Sequence, residues 1–217
     1  MALKAHETRL VIIRHGESRA QVGGFASGHD TCTGLSERGR RQAAGLRDRL
    51  ARTGELAAVD AVYTSILPRA QETARVIGPG LGGVVPSSEC DWCEIHAGDA
   101  EGLTYQEIRE RFPSTGDSED ALDRHIPGGE TWTECYARVG SRLRRLAHDH
   151  PGQEVVVVGH GGTIGASFVA LGDLGLHDSM ALLREARNTS ITEWRWTGTA
   201  WRLVRYNDAA HLAEIAD

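Results

Sequence analysis

Two short runs of mostly β-branched residues constrain the fold more than any other feature of the sequence. They are "LVIIR", residues 10–14, and "EVVVVGH", residues 154–160. Neither run alternates between apolar and polar residues, and such continuous runs are typical of strands covered on both faces in a parallel sheet. A shorter run, "AVDAVYTS" at residues 58–65, predicts a third strand. The sequence therefore favours an α/β protein, provided that helices lie between these strands.

Helical patterns do lie between the strands. The segment "LSERGRRQAAGLRDRLA" has Ser36 as a candidate helix cap and Ala43, Leu46 and Leu50 at helical spacing. The segments "LPRAQETARVI" and "TWTECYARVGSRLRRLA" have the same character. Strands that alternate with helices in this way indicate a parallel sheet with crossover helices.

Two further segments bear on the organisation of the chain. A chain of 217 residues fits one large domain, and the polar, turn-rich stretch 95–130 is interpreted as a cap-like insertion above the sheet. Near the C-terminus, "NTSITEWRW" and "WRLVRYN" flank a turn and predict a β-hairpin. Its tryptophans Trp194, Trp196 and Trp201 suit packing on the faces of such a hairpin better than ligand contacts.

The charge and the N-terminus exclude some classes of function. The net charge of −6 argues weakly against nucleic-acid or anionic-membrane binding, because both require a basic surface. It leaves open a small anionic substrate, which needs only a local positive pocket. The first residues, "MALKAHETR", contain no secretory apolar segment, and no apolar run approaches the ~18 residues of a membrane span. We therefore expect a cytoplasmic protein that binds neither nucleic acid nor membrane.

The four cysteines give no clear function. Cys90 and Cys93 form a C-x-x-C in "CDWC", but no second pair lies at metal-ligand spacing. A redox pair would be expected at the start of a helix after a strand, whereas "SECDWCEI" is predicted to be strand or loop. A structural role is therefore favoured for this pair, and no metal site is predicted.

Polar, glycine-rich clusters follow each predicted strand. "RHGES" follows the first, "TSILPRAQETA" the second and "GHGGT" the third. Because ligands of open parallel sheets bind beyond the carboxyl ends of the strands, these clusters can converge on one site. They supply Arg14, His15, Arg69 and His160, together with backbone that can approach a ligand closely.

This set of side chains points to phosphate. Two guanidinium groups match the geometry of a phosphate oxyanion, and they would repel a divalent cation. Each residue taken singly could equally be structural, but the set of four is harder to explain in that way. A neutral histidine in such a pocket can attack phosphorus, and the leaving oxygen then requires an acid.

The ordered motifs resemble those of the histidine phosphatase superfamily, also called phosphoglycerate mutase-like. "RHGES" resembles its nucleophile motif, "YTSILPRAQETA" the motif of its second arginine, and "VVVVGHGGTI" the motif of its second histidine. The resemblance covers most of the chain. It implies a three-layer α/β/α sandwich with a mostly parallel central sheet, helices on both faces and a small inserted cap.

The resemblance also implies roles for particular residues. His15 would be the phosphorylated nucleophile, with Arg14, Arg69 and His160 around the phosphoryl oxygens. Glu94, in "CEIHAGDAEG", would be the acid, although spacing alone does not favour it over Glu101. Glu101 would hold other residues of the site in place without contacting the phosphoryl group itself. The positions that match the substrate-binding residues of the family are Gln21, Ser27, Gly28 and Gly161.

The sequence departs from the family pattern near the first motif. Gln21 stands where the family often has asparagine, so its amide lies one methylene further out. The segment 19–32, "RAQVGGFASGHDTC", lacks the common Trp-Asn pair. His29 and Arg19 are alternative candidates to face the leaving group, although solvated side chains are as ordinary an explanation.

The sequence thus predicts a metal-independent phosphomonoester hydrolase that acts on a small phosphorylated metabolite through a phosphohistidine, without a cofactor. A cofactor-dependent mutase of the phosphoglycerate type is the first alternative, and the short insertion argues against it. A phospho-ligand-binding protein without activity and a metal-dependent hydrolase are the others. A homo-oligomer with contacts through the C-terminal hairpin is left open.

Overall fold

A six-stranded sheet forms the centre of the molecule. The computed structural model describes residues 3–113 and 123–213. The strand order is β3-β2-β4-β1-β5-β6, in which β1, β2, β3 and β4 pair in parallel while β5 and β6 form an antiparallel edge. The strands are β1 (Thr8–Arg14), β2 (Ala61–Thr64), β3 (Ser87–Ser88), β4 (Glu154–Gly159), β5 (Ile191–Trp196) and β6 (Trp201–Asp208).

Helices cover both faces of this sheet. The predicted α/β/α sandwich with a mostly parallel sheet is confirmed. The helices are α1 (Arg19–Gly23), α2 (Glu37–Thr53), α3 (Pro68–Ile77), α4 (Tyr105–Arg111), α5 (Trp132–Asp149), α6 (Gly161–Gly172) and α7 (Leu176–Glu185), with short 3₁₀ helices at Gly78–Leu81, Cys90–Trp92, Gly98–Ala100 and Ala210–Leu212. In the described part of the chain, no helix has both the length and the apolarity to span a bilayer.

The continuous apolar strands divide the core in two. In β1, Leu10 and Ile12 pack against α5 and α6, whereas Val11 and Ile13 pack against α2 and α3. The four valines of β4 alternate in the same way. Because successive side chains of a strand point to opposite faces, only a strand buried on both sides requires an unbroken apolar run.

Local signals place the helices at the strand ends. Ser36 caps α2 by accepting a hydrogen bond from Gly39 N, as its position in the sequence predicts. Pro68 opens α3, where its missing N–H costs nothing, and this puts Arg69 in the first turn next to the end of β2. Helix α6 begins directly after β4, with His160 as its N-cap residue.

The cysteine segment differs from its prediction. Residues predicted as strand or loop form the two-residue strand β3 and then the 3₁₀ turn Cys90–Trp92. The guanidinium of Arg138, on α5, donates hydrogen bonds to the carbonyls of Cys90 (3.0 Å), Asp91 (3.1 Å) and Cys93 (3.1 Å). A donor 45 or more residues away thus stabilises this turn, and no local pattern could reveal it.

The predicted hairpin is present, formed by β5 and β6. The insertion is described over residues 95–113 and 123–130, and residues 114–122 lie outside the described residues. It is bonded to the loop after α1, since Ala26 N donates to Leu103 O (2.9 Å) and Tyr105 N donates to Gly24 O (3.0 Å). In the hairpin, Trp194 is buried and its Nε1 donates to Ser167 Oγ (3.0 Å).

Candidate active site

The parallel register of β1 and β4 brings two histidines together. Arg14 pairs with Gly159, and His15 N donates to Gly159 O at 2.9 Å. One residue beyond that pairing, the rings of His15 and His160 lie edge to face with centroids 5.0 Å apart. Both side chains therefore sit at the carboxyl edge of the sheet, where ligands of parallel sheets bind.

His15 is buried and has a defined tautomer. Its Nδ1 lies 2.6 Å from the carbonyl oxygen of Gly16, and a carbonyl only accepts, so Nδ1 carries the proton. Nε2 then holds the free lone pair. Burial, followed by the positive charges of Arg69 and Arg14, lowers the pKa of His15 well below its usual range. The side chain is thus a neutral imidazole over the physiological range of pH.

His160 has the opposite tautomer. Arg69 Nε donates to its Nδ1 at 3.3 Å, which leaves the proton of the neutral ring on Nε2. The ring is fully buried, and Nε2 has no hydrogen-bond partner within residues 3–113 and 123–213. Burial and the charge of Arg69 hold the pKa of His160 well below its usual range. A buried N–H without a partner is costly, and this one would be satisfied by an oxyanion.

Two arginines lie beside these rings. Arg69 is 5 % exposed, and its Nη1 donates to the carbonyl of Ser27 at 3.1 Å. Arg14 donates through Nη1 to Ala186 O, while its buried Nε has no partner in the described part of the chain. Burial lowers the pKa of Arg14, against the opposing effect of Glu94, but a guanidinium remains charged in any case.

Glu94 lies at the N-terminus of α6. Gly162 N donates to both of its carboxylate oxygens, at 3.1 Å to Oε1 and 3.3 Å to Oε2. A Cβ at position 162 would lie 2.1 Å from Glu94 Oε1, so any larger residue there would require the carboxylate to move from this position. The helix start therefore fixes the position of this acid.

The predicted substrate-binding residues differ in whether their polar groups already have hydrogen-bond partners. Ser27 Oγ is buried without a partner among the described residues, and Gly161 is the buried first residue of α6. Gly28 N donates to Glu101 Oε1 at 3.1 Å. The amide of Gln21 is instead engaged locally, because its Oε1 accepts from Ser18 N (3.0 Å) and from Asn188 Nδ2 (3.2 Å).

A pocket of about 230 Å³ opens beside Glu94. His29, Glu101 and His96 are on its wall, and that His29 faces a leaving group stays a prediction. Arg19 does not line it, and its Nη1 donates to Thr33 O at 3.3 Å.

Asn188 is a contact that the sequence analysis did not identify. Its Nδ2 donates to the main-chain carbonyl of His15 at 2.9 Å and so holds the backbone of that residue. Its segment, "ARNTSIT", precedes β5 and crosses to the end of β1, where Thr189 N donates to Arg14 O at 2.9 Å. In the sequence, the polar Asn-Thr-Ser run at the start of a buried strand was the signal that could have indicated this contact.

Together these groups have the charge and the donors that a doubly charged oxyanion requires. The Nε of Arg14, the Nε2–H of His160 and the hydroxyl of Ser27 are buried donors without a partner among the described residues, and the guanidinium of Arg69 lies beside His160. None of these four residues has a carboxylate, which is the kind of ligand that a divalent cation would require. Arginine forks and buried N–H groups match the oxygens of a phosphoryl group.

The comparison with family models decides the family. Residues 10–209 match the model described as histidine phosphatase superfamily (branch 1). The chain belongs to this superfamily. The match includes both histidine motifs and both arginine motifs, so the resemblance predicted from the sequence is confirmed.

Named relatives of this chain include phosphatases. It is 32 % identical over 209 residues to phosphoglycerate mutase-like protein 4 of Arabidopsis thaliana, covering 94 % of this chain and 87 % of that protein. It is 33 % identical over 223 residues to glucosyl-3-phosphoglycerate phosphatase of Mycobacterium tuberculosis, covering 94 % and 96 %. Among solved structures, Bacillus stearothermophilus YhfR matches with a TM-score of 0.79 at 31 % identity, covering 94 % of this chain and 99 % of that one.

Proposed function

We propose that this histidine phosphatase hydrolyses a small phosphomonoester through a phosphohistidine at Nε2 of His15. The observation that carries the proposal is the tautomer of this ring. Its Nδ1–H is bonded to Gly16 O, so the lone pair of a neutral, buried imidazole is left on Nε2. An unprotonated imidazole is nucleophilic, and covalent catalysis divides one displacement into two easier steps.

The surrounding donors would stabilise the transferred group. As the bond to the leaving oxygen breaks, negative charge is spread over the three equatorial oxygens of the phosphoryl group. Arg14, Arg69 and the Nε2–H of His160 are held in place by protein contacts before the substrate arrives. Donors that are ordered in advance stabilise such charge without reorganisation.

Glu94 would move the protons. In the first step its protonated carboxyl group donates to the leaving alcohol while Nε2 of His15 bonds to phosphorus. In the second step the resulting carboxylate accepts a proton from water, the oxygen of that water attacks phosphorus, and the N–P bond breaks to release phosphate. Its position at Gly162 N keeps it at the edge of the pocket.

We propose a small polar alcohol as the leaving group. The pocket beside Glu94 has a volume of about 230 Å³, and its polar side chains are those of His29, Glu94, His96 and Glu101. The named relatives include a phosphoserine phosphatase of Arabidopsis thaliana described as metal-independent (27 % identical) and a glucosyl-3-phosphoglycerate phosphatase. The leaving groups of both substrates are polar alcohols, and we infer a phosphorylated metabolite with a polar alcohol for the present chain.

The decisive experiment removes the nucleophile. We expect His15→Ala to lower the kcat/KM for an aryl phosphate by at least about 10⁴-fold, because the covalent step is lost. The matched control is His148→Ala, a histidine on α5 whose side chain is 93 % exposed, and it should keep full activity. Rapid acid-free quenching with ³²P-labelled substrate should label the wild type at His15 and leave His15→Ala unlabelled.

Two results would contradict this function. Substantial hydrolysis by His15→Ala would show that another group attacks phosphorus. Transfer of the labelled phosphoryl group to a second hydroxyl of the substrate, with no release of inorganic phosphate, would show a mutase instead.

A further inference from the structure

Four side chains outside the phosphate site converge on one point. The Nε2 or Nδ1 atoms of His29 and His96 and the Sγ atoms of Cys90 and Cys93 all lie within 4.8 Å of one another. Cys90 Sγ lies 3.1 Å from Cys93 Sγ, 3.4 Å from His29 Nε2 and 3.6 Å from His96 Nε2. A tetrahedral zinc site with bonds of about 2.3 Å to sulfur and 2.0–2.1 Å to nitrogen places its donor atoms about 3.3 to 3.8 Å apart.

The cluster consists of two chain segments. Cys90, Cys93 and His96 come from "CDWCEIH", in which the 3₁₀ turn folds both sulfurs to one side. His29 comes from the loop after α1, more than 60 residues earlier in the chain. A C-x-x-C pair followed by histidine is a common ligand spacing, but the fourth ligand is apparent only in the folded chain.

Outer contacts orient three of the four ligands. His96 Nδ1 lies 3.6 Å from Glu130 Oε1 while its Nε2 faces Cys90, the carboxylate–histidine arrangement that is usual behind a metal-bound imidazole. Ser65 Oγ donates to Cys93 Sγ at 3.4 Å. Arg138 binds the carbonyls of Cys90 and Cys93 and forms an ion pair with Glu130 at 2.6 Å.

The loop that carries His29 is also fixed. Glu101 Oε1 accepts hydrogen bonds from Gly28 N (3.1 Å), Asp30 N (2.7 Å) and Thr31 N (2.9 Å). The position of the His29 ring therefore follows from an organised turn, although the residue itself is exposed.

We propose that His29, Cys90, Cys93 and His96 bind one zinc ion as a closed structural site. Two thiolates and two imidazoles are the ligands that zinc prefers, and four protein ligands leave no position for substrate or water. Binding would release the two thiol protons, and the two thiolate charges would neutralise the ion. The ion would join the loop of residues 28–31 to the segment that carries Glu94, which lies between the ligands Cys93 and His96 in the chain.

The zinc site adjoins the proposed leaving-group pocket, since His29 and His96 line that pocket as well. Its ligands are none of the groups that we assign to the phosphoryl group, and the arginines of the phosphate site would repel a cation. The proposal therefore stands or falls without the proposed function, and its test measures metal directly rather than activity.

The first test is the metal content of the untagged protein. We expect about one zinc per chain by mass spectrometric metal analysis after expression in zinc-containing medium. Cys90→Ser and Cys93→Ser should each lose it. The matched control is Cys135→Ala, a buried free cysteine outside the cluster, and it should retain the metal.

Cobalt substitution tests the geometry of the site. Co²⁺ added to metal-free, reduced wild type should give the intense visible absorption of tetrahedral coordination and a near-ultraviolet thiolate band, and Cys90→Ser should give neither. A wild type that holds less than about 0.1 zinc per chain and gives no such cobalt spectrum would overturn the proposal, because a Cys₂His₂ site binds these ions tightly. A disulfide between Cys90 and Cys93 in the protein purified under reducing conditions would overturn it as well.

A milder variant guards against misfolding. His29→Ala alters only an exposed loop, so the fold should persist, as circular dichroism would verify. We expect its zinc affinity, measured by competition with a chromophoric chelator, to fall markedly. Loss of a residue that only contacts a ligand lowers metal affinity by about 10- to 100-fold, and loss of a ligand itself should lower it further. Unchanged affinity in His29→Ala would remove this histidine from the site and contradict the four-ligand proposal.

Discussion

At the scale of single residues, hydrogen bonds give two buried histidines different chemistry. The Gly16 carbonyl fixes the proton of His15 on Nδ1, and the Arg69 guanidinium fixes that of His160 on Nε2. Burial and the neighbouring arginines keep both pKa values low, so neither ring is a cation in the free protein. In the proposed mechanism one neutral imidazole attacks phosphorus while the other donates to a phosphoryl oxygen.

The position of the proposed acid, Glu94, depends on the glycine at position 162. We predict that Gly162→Ala lowers kcat for an alkyl phosphomonoester by about 10²-fold or more, because the new Cβ would occupy the place of Glu94 Oε1. The loss should be much smaller for a nitrophenyl phosphate, whose leaving group scarcely needs a proton. Steady-state kinetics with both substrates measures this difference.

A second glycine provides the control for that prediction. An added Cβ at Gly78 meets nothing within 4 Å, so Gly78→Ala should leave both rates unchanged. Equal losses on both substrates in Gly162→Ala would indicate general damage to the pocket rather than a displaced acid.

The sequence identified residues well where a motif follows a strand. Arg14, His15 and His160 follow the two most apolar runs, so their meeting at the sheet edge could be deduced from strand geometry. The same reasoning could not find Asn188 or place His29 beside Cys90. Those contacts depend on the paths of loops, and loop paths follow from distant hydrogen bonds rather than from a local pattern.

At the scale of elements, the loop of residues 28–31 depends on one carboxylate. Glu101 Oε1 accepts three backbone N–H groups and the hydroxyl of Thr31 at 3.0 Å. The carboxylate is partly desolvated, but the hydrogen bonds from Thr31 and Asp30 outweigh that effect and lower the pKa of Glu101. The insertion that carries Glu101 thereby organises the loop that carries Ser27, Gly28 and His29.

We predict that Glu101→Ala loosens this loop without removing any catalytic group. The KM for substrate should rise by about 10-fold, since the loss of several charge-assisted hydrogen bonds of about 1.5–3 kcal/mol each leaves the loop disordered for part of the time. Amide hydrogen exchange of residues 27–32 should become faster. Both quantities are measurable on the same preparation.

A nearby glutamate with a different structural role provides the control for this prediction. Glu107 closes the capping box of α4 through Thr104, outside the loop. Glu107→Ala should leave exchange of residues 27–32 as in the wild type. Unchanged exchange in Glu101→Ala would mean that other contacts hold the loop.

Elements with a clear apolar pattern were predictable. The strands β1 and β4 and the helices α2, α3 and α5 were identified within a few residues of their ends, whereas α6 and α7 were not predicted. The 3₁₀ turn Cys90–Trp92 is three residues long and contains no periodic pattern. Its conformation depends on hydrogen bonds from Arg138, so the turn could be predicted only once the fold was known.

At the scale of the whole molecule, the fold buries two titratable rings at the carboxyl edge of the sheet. In an unfolded chain a histidine has a pKa of about 6.5, whereas the folded pKa values of His15 and His160 lie well below that. Below about pH 6.5 the unfolded chain therefore binds protons that the folded chain does not. The free energy of unfolding should be greatest above this pH and should decrease as the pH falls through it.

We predict that His160→Gln reduces this dependence on pH. Each buried histidine contributes a slope of up to about 1.4 kcal/mol per pH unit below its unfolded pKa, and glutamine does not titrate. Urea unfolding in phosphate-free buffer at pH 7.5 and pH 5.5 should thus show a difference smaller by about 1 to 1.4 kcal/mol in the variant than in the wild type. His148→Gln, which changes an exposed ring, should keep the wild-type slope. Equal slopes in His160→Gln and wild type would mean that His160 takes up its proton over the same pH range in the folded protein as in the unfolded chain, and the low folded pKa on which its proposed role as a neutral donor rests would then have to be abandoned.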